Sequence, residues 1–214
     1  MGLSNNSIDL DDETNAVLLE LDSYFDEDYR FKSYYYNLPV NVKDPDMEDY
    51  ADPDAQFSLI MEDFENFAAV LYYGGDEYAN MVDVEMLARF LLVNELVMNL
   101  ELGHPKSTFL YKVDLRALHS RYVFGPVWDF DWAYGYEYTK SYCECDPTLD
   151  YFDNLIMNAG YFFFRDLRYN SEAVKRAYYK EWKDFMENHY EELLDYVDTY
   201  YKYANSSFQS NADL

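Results

Sequence analysis

Two stretches in the first half of the chain repeat apolar residues at steps of three and four, which predicts two amphipathic helices. The first begins at Pro53 and ends before Gly74, and its apolar face consists of Phe57, Ile60, Met61, Phe64, Phe67, Ala68 and Leu71. The second follows its expected N-cap, Asp83, and runs to about Asn99. Because it is apolar nearly all round, we expect it to be the buried central helix, in which Glu95 needs a polar partner.

Shorter apolar runs predict strands. Residues 16–22 form one such run, and residues 31–43 form a second that Pro39 interrupts. Residues 108–113 and 121–130 are expected to form two antiparallel strands joined by a short connection. The second of these strands would end in a pair of carboxylates.

The last third of the chain predicts a group of helices. The expected segments are residues 151–157, 161–167, 172–188 and 190–203. The third segment begins after a capping serine, Ser171, and carries an apolar stripe of Val174, Ala177, Tyr178, Trp182, Phe185 and Met186. Polar residues 44–54 and 134–147 are expected to be loops. Since there is no internal repeat and no Gly/Ser linker, we expect one domain of the α+β class.

Charge excludes several kinds of partner. The chain has 214 residues, and its 16 basic against 42 acidic residues give a net charge of −26. This balance argues against binding nucleic acid or an anionic membrane surface, and it favours basic or neutral partners or divalent cations. No apolar run approaches the ~20 residues of a membrane helix. Residues 1–12 are polar and lack the apolar core of a signal peptide.

The two cysteines, Cys143 and Cys145, are separated by one residue. A zinc site needs about four ligands, and the three histidines, His104, His119 and His189, lie far away in the sequence. A disulfide across one residue would be strained. Both are therefore expected to be ordinary thiols in a loop.

The stretch with the clearest chemistry runs from Phe124 to Gly135 and contains Asp129 and Asp131 on either side of one aromatic residue. In an extended strand, alternate side chains share a face, so both carboxylates would point the same way. Two like charges on one face favour a cation between them, and Mg²⁺ typically takes one or two carboxylates together with phosphate oxygens and waters. A solvated strand end is the alternative for so short a motif.

Three motifs together resemble the bacterial spore-coat protein H (CotH) kinase family. They are Gly-Pro-Val-Trp-Asp-Phe-Asp-Trp-Ala-Tyr-Gly at 125–135, Asn-Glu-Leu at 94–96 and Phe-Leu-Tyr-Lys at 109–112. The resemblance extends from about Leu18 to the C-terminus. It implies an atypical protein kinase fold that uses ATP and Mg²⁺ to phosphorylate protein Ser, with residues 16–43 joining two lobes and residues 54–214 forming the mainly helical larger lobe. It also implies an extracellular or cell-surface location for the parent protein.

Carried over residue by residue, the resemblance makes Asp129 the main Mg²⁺ ligand, with Asp131 beside it and Ser107 as a weak second ligand. Glu101 takes the place of the base-like positioning group. The family has Asp where Glu101 stands and often Asn where Ser107 stands. The additional methylene of Glu displaces its carboxylate by roughly 1 Å, which can cost on the order of 100-fold in rate.

A kinase also needs a cradle for the β- and γ-phosphates, usually a Gly-rich loop with a Lys on a nearby strand. Nothing before residue 16 supplies one, so we expect an incomplete domain that is inactive as the isolated chain. The rival hypothesis is a non-catalytic surface module that binds carbohydrate or a protein partner. Its support is the 25 tyrosines, since exposed aromatic rings can stack on sugars.

Overall fold

The computed structural model describes residues 15–135, 146 and 148–212, which form an α+β fold as the sequence predicts. Its strands are β1 (Val17–Leu21), β2 (Arg30–Lys32), β3 (Pro39–Asp44), β4 (Thr108–Lys112) and β5 (Val123–Phe124). Its helices are α1 (Pro53–Tyr72), α2 (Val84–Leu96), α3 (Tyr151–Asn154), α4 (Ala159–Tyr169), α5 (Glu172–Asn188) and α6 (Tyr190–Ala212). Cys143 and Cys145, and most of the loop predicted over 134–147, lie outside the described residues.

The strands form one antiparallel sheet in the order β2-β3-β1-β4-β5. β1 is the central strand, and Leu19 faces Val42 of β3 on one side and Leu110 of β4 on the other. Leu19 and Leu21 are completely buried. The strand predicted over 16–22 is therefore confirmed, and it forms the centre of the sheet.

The single interrupted strand predicted over 31–43 is wrong, because these residues belong to a hairpin. β2 and β3 pair with each other, and the turn between them closes where the Ser33 N–H donates to the Leu38 carbonyl at 2.9 Å. Asn37 takes the left-handed conformation in this turn, with φ of 55°. Pro39 opens β3 instead of interrupting a strand, and the first residue of a strand tolerates proline.

α1 and α2 confirm the helices predicted from periodicity. Asp52 caps α1 by accepting from the Ala55 N–H at 3.0 Å, and Asp83 caps α2 by accepting from the Met86 N–H at 3.0 Å. The core face of α1 is completely buried at Ile60, Phe64, Phe67, Ala68 and Leu71. In α2, Leu91 is completely buried too, and the helix packs against α5 and β5. α2 is therefore a core helix, as predicted.

The C-terminal helices also occur where the sequence predicts them. Ser171 caps α5 by accepting from the N–H groups of Ala173 and Val174. Val174 and Tyr178 of the predicted apolar stripe are buried, but Met186 is 49% exposed and does not belong to the core. The described part of the chain contains no helix that is both long and apolar enough to cross a membrane.

The strand predicted over 121–130 is much shorter in the structure, since β5 contains only Val123 and Phe124. The chain leaves the sheet at Gly125, whose φ is 128° and whose N–H donates to the Phe109 carbonyl at 2.9 Å. The Gly125–Pro126 peptide bond is cis. Everything beyond it up to Gly135 is a loop with one short 3-10 turn.

Candidate functional site

Asp129 and Asp131 both lie in the exposed loop that follows β5. Asp129 has a φ of 59°, which is left-handed backbone and not the extended conformation assumed from the sequence. The argument that alternation in a strand places both carboxylates on one face is therefore wrong, although both side chains reach solvent. Phe130 between them is partly buried, and the Ala133 N–H donates to its carbonyl at 3.1 Å.

Ser107 lies next to Asp129 in the structure. Its hydroxyl is 3.5 Å from Oδ2 of Asp129, and its backbone is left-handed with φ of 45°. The Ser107 N–H donates to Oδ2 of Asp22 at 3.1 Å, and Oδ1 of Asp22 accepts from the Tyr24 N–H at 2.7 Å. The end of β1 thus holds Ser107 in place.

Asp22 is a site residue that the sequence analysis missed. It follows the central strand directly and is 6% exposed. A buried carboxylate at a strand end needs hydrogen-bond donors, and two backbone N–H groups provide them here. The available signal was its place at the end of a mainly apolar run, where a charge is costly unless it is bound.

Glu101 lies in a 3-10 helix over Leu100–Gly103 that connects α2 with the Ser107 segment. Asn99 caps this helix by accepting from the Glu101 N–H at 3.3 Å. The Asn99 amide donates to the Asn94 side chain at 2.9 Å, and the Tyr151 hydroxyl donates to the Asn99 carbonyl. These buried bonds anchor the connection to α2 and to α3.

The electrostatics of Glu101 link it to the other candidate residues. Burial is the largest cause that raises the pKa of Glu101 to about 7, and the side chain is 9% exposed. The Lys106 ammonium opposes this shift and lowers the pKa. The carboxylates of Asp131, Asp129 and Asp22 make smaller contributions that raise the pKa, and the value of about 7 includes them. Glu101 therefore exchanges its proton close to neutral pH.

Lys106 is a second residue that the sequence analysis did not select. Its Nζ lies 4.6 Å from the ring centroid of Tyr24 and 5.4 Å from that of Trp132. Aromatic faces attract a cation in this range. The two rings thus hold one positive charge near the carboxylate of Glu101.

The donor set at Asp129, Asp131 and Ser107 comprises two carboxylates and one hydroxyl. Among residues 15–135, 146 and 148–212, no group of three or more His, Cys, Asp or Glu residues is arranged to hold a metal by itself. Mg²⁺ typically takes one or two protein carboxylates and completes its shell with phosphate oxygens and water. The residues present therefore fit a Mg²⁺ ion that arrives with a phosphate ligand.

A separate ion pair joins Lys112 on β4 to Asp63 on α1, with Nζ 2.7 Å from Oδ1. The Tyr122 hydroxyl donates to the other oxygen of Asp63 at 2.7 Å, and Tyr122 is completely buried. Kinases use a strand Lys paired with a helix acid to hold phosphates. Here Lys112 lies at the end of β4 remote from Ser107, roughly 17 Å along the strand, so this pair lies away from the site.

The chain matches the family model described as CotH kinase protein over residues 10–213. No curated protein and no solved structure matches the chain. The match spans nearly the whole sequence and includes every candidate residue described above.

Proposed function

The chain belongs to the CotH kinase family, and from this premise we propose that Asp22, Glu101, Ser107, Asp129 and Asp131 form the phosphoryl-transfer centre of an atypical protein kinase. The intact domain transfers the γ-phosphoryl group of ATP to a Ser hydroxyl of a protein. The observation that carries this proposal is the approach of Ser107 to Asp129, at 3.5 Å, from elements far apart in the sequence. A location outside the cell or on its surface is part of the same proposal.

Asp129 is the main ligand for Mg²⁺, Asp131 lies beside it, and the Ser107 hydroxyl is a weaker ligand. When bound, the ion neutralises charge on the phosphate oxygens during transfer. Asp22 does not bind the ion itself. It fixes the backbone of Ser107 by accepting a hydrogen bond from the Ser107 N–H. The two exposed carboxylates are accessible to a nucleotide phosphate from solvent.

Glu101 is the group that orients the substrate hydroxyl and accepts its proton. A general base works best when its pKa lies near the working pH, and burial raises the pKa of Glu101 to about 7. Lys106 favours the ionised form of Glu101 and so keeps part of the population able to accept a proton. Phosphoryl transfer depends mainly on positioning of the reactants and on stabilisation of charge. Glu101 and the metal ligands provide part of both.

The phosphate cradle is the part that this chain does not supply in a recognisable form. Its seven glycines contain no Gly-x-Gly-x-x-Gly motif. Within the described residues, the strand Lys paired with a helix acid is Lys112, which lies away from the site. We therefore propose that the 214-residue chain binds Mg²⁺ with nucleotide but does not detectably transfer the phosphoryl group.

Calorimetric titration with ATP in the presence of Mg²⁺ tests the metal site. We expect Asp129→Asn to weaken binding by at least about tenfold, because one charge-assisted contact contributes ~1.5–3 kcal/mol. Asp195→Asn on the exposed helix α6 removes the same charge away from the site and should leave the affinity unchanged. Equal affinities for all three proteins would exclude Asp129 as a ligand.

A second candidate function is a non-catalytic module that binds glycans or a protein partner. Tyr34, Tyr72 and Tyr73 are 85%, 52% and 77% exposed, and they pack around Tyr35 with ring centroids 5.1 to 5.8 Å apart. Exposed aromatic clusters of this kind often mark binding surfaces. A glycan array tests this candidate by comparing wild type with the double variant Tyr34→Ala/Tyr73→Ala. A glycan that binds wild type should bind the double variant more weakly.

A further inference from the structure

Two glycines allow α4 to approach the segment that carries Glu101 and Ser107. Gly160 is the second residue of α4, and Gly103 is the last residue of the 3-10 helix that contains Glu101. Both glycines are buried. Because neither places a side chain between the two segments, the start of α4 and the 3-10 helix lie backbone against backbone.

The contact at Gly160 leaves no room for a methyl group. A Cβ added there would overlap the Leu102 carbonyl oxygen, and it would lie 2.9 Å from the carbonyl carbon and 3.0 Å from Cδ of Pro105. Nonbonded carbon atoms pack best at roughly 3.5–4.0 Å, so a side chain here would push the two segments apart by about 1 Å or more. Alanine is the better helix former, so the close contact and not the helix accounts for glycine at this position.

Gly103 makes the same kind of contact from the opposite side. A Cβ added there would lie 2.8 Å from the carbonyl oxygen and 2.9 Å from the nitrogen of Ile156, in the connection between α3 and α4. Between the two glycine contacts, the Asn158 amide nitrogen lies 2.8 Å from Nδ1 of His104. The start of α4 and the 3-10 helix therefore contact each other at several places.

The core holds α4 more firmly than it holds the 3-10 helix. Phe163 and Phe164 are completely buried one turn after Gly160, and the Phe164 ring lies against the rings of Phe90 and Phe124. The 3-10 helix has only four residues, and 3-10 hydrogen bonds have poorer geometry than those of an α-helix. A forced separation would therefore displace the 3-10 helix and leave α4 in the core.

The atoms that would be displaced adjoin the candidate residues. Glu101 directly precedes Leu102. Ser107 lies two residues after Pro105. On the opposite side of this segment, the Ser23 N–H and hydroxyl both donate to the Pro105 carbonyl at 2.9 Å. The start of α4 and the end of β1 thus hold the segment between them.

We propose that Gly160 and Gly103 are positioning residues of the phosphoryl-transfer centre. Because they carry no side chain, α4 lies close enough to the 3-10 helix to fix the positions of Glu101 and Ser107. This inference rests on the proposed kinase function, in which Glu101 accepts the proton of the substrate hydroxyl. A displacement of about 1 Å can reduce a rate on the order of 100-fold, so a contact that prevents it matters for transfer.

Carbon-13 NMR of the Glu carboxyl groups, followed across pH, tests this proposal on the whole chain. The Glu101 signal is assigned with Glu101→Gln, and its titration midpoint in wild type should lie at about 7. We expect Gly160→Ala to lower this midpoint toward the 4.5 of an ordinary Glu, because a displaced 3-10 helix lets water reach the carboxylate. Lower stability alone would not change the midpoint of a protein that remains folded.

Gly74→Ala is the matched control. Gly74 follows α1 with φ of 73°, so alanine there costs stability through backbone strain. A Cβ at Gly74 would meet only the Asn170 side chain, at 4.0 Å, and would leave the 3-10 helix in place. Thermal unfolding verifies that both variants fold. An unchanged midpoint in folded Gly160→Ala, or equal changes in both variants, would overturn the positioning role.

Gly103→Ala keeps the proposal testable if Gly160→Ala does not fold. Its added Cβ overlaps its neighbours less, so it should lower the midpoint of Glu101 in the same direction by a smaller amount. A folded Gly103→Ala with the midpoint of wild type would count against the proposal in the same way.

The two proposals fail in different ways. If binding of ATP with Mg²⁺ remains sensitive to Asp129→Asn but the Glu101 midpoint responds to neither glycine variant, only the positioning role is wrong. If the midpoint responds but nucleotide binding is absent, the glycines position Glu101 as inferred and the kinase function is wrong.

Discussion

The backbone N–H of Ser107 donates to Oδ2 of Asp22 at 3.1 Å, although 85 residues separate them in the sequence. This bond connects the end of the central strand to the segment that carries the proposed metal ligand. It also helps to hold Ser107 in its left-handed conformation, with φ of 45°. The position of the Ser107 hydroxyl near Asp129 therefore depends on a residue that does not itself contact the metal site.

Replacing Asp22 should disturb both stability and binding. Asp22→Ala leaves two N–H groups without their acceptor, which should cost about 1–3 kcal/mol in the free energy of unfolding. It should also weaken binding of ATP with Mg²⁺ several-fold, because Ser107 loses its anchor. Asp22→Asn keeps one oxygen acceptor and should have the smaller effect in calorimetry and in urea denaturation. If Asp22→Ala bound ATP with Mg²⁺ as tightly as wild type does, Asp22 would have no role in the site.

Transfer of radiolabelled phosphate is the strictest test of catalysis. We expect none to be detectable from the 214-residue chain to itself or to a generic acidic or basic protein, because the phosphate cradle is essential to positioning. In any longer form that does label a substrate, Glu101→Asp should raise the rate, since it restores the shorter side chain of the family pattern. Robust labelling by the short chain that disappears in Asp129→Ala would contradict this expectation.

The core role of α2 can be measured at Leu91, which is completely buried. Leu91→Ala should lower the free energy of unfolding by roughly 2–5 kcal/mol, the range for a cavity in a packed core. Leu118→Ala is the control, because Leu118 is 91% exposed and its loss should change stability by less than about 0.5 kcal/mol. Chemical denaturation that gave similar values for both variants would refute the assignment of α2 to the core.

The same helix predicts a pH dependence through Glu95. The pKa of Glu95 is raised to about 7, mainly by burial and next by Asp150, while the Trp182 N–H, 3.4 Å from its carboxylate, and Arg168 act to lower it. The folded state favours the neutral acid. The stability that this preference contributes is fully present below the unfolded pKa near 4.5 and is lost as the pH rises through about 7. Wild type should therefore lose stability relative to Glu95→Gln over this interval.

The difference should be on the order of 1 kcal/mol at pH 8, allowing for the partial exposure of the side chain. Urea denaturation of both proteins at pH 5 and pH 8 measures it. A wild type that gains stability relative to Glu95→Gln at pH 8 would show that the carboxylate is stabilised in its ionised form.

Local patterns predicted the helices well, because a helix depends on residues three and four apart. Asp83 and Ser171 were predictable as caps for the same reason, since each accepts from N–H groups two or three residues ahead. The turn before β3 was missed because the tyrosines around it are apolar enough to resemble part of a strand. Its local signals were Pro39, which was interpreted as an interruption, and Asn37, which takes the left-handed conformation.

The site was harder to predict because its contacts are non-local. The run after β5 suggested a buried strand, yet Val127 and Trp128 are 45% and 62% exposed. These hydrophobic residues lie in a surface loop, and the pattern of the sequence cannot distinguish such a loop from a buried strand. Asp22 was missed since its partner at Ser107 is distant in the sequence. The resemblance to the family selected Asp129 and Ser107 as candidates, and the structure places their side chains 3.5 Å apart.

The central position of β1 has a consequence for the order of folding. β3 can pair with β1 soon after the β2–β3 hairpin forms, but β4 follows only after both α1 and α2 in the sequence. Closing so long a loop is slow, and until it closes β1 presents an unpaired apolar edge that can recruit other chains. Because the Asp22–Ser107 bond lies where β1 meets β4, we expect the site to form late, so aggregation would compete directly with its assembly.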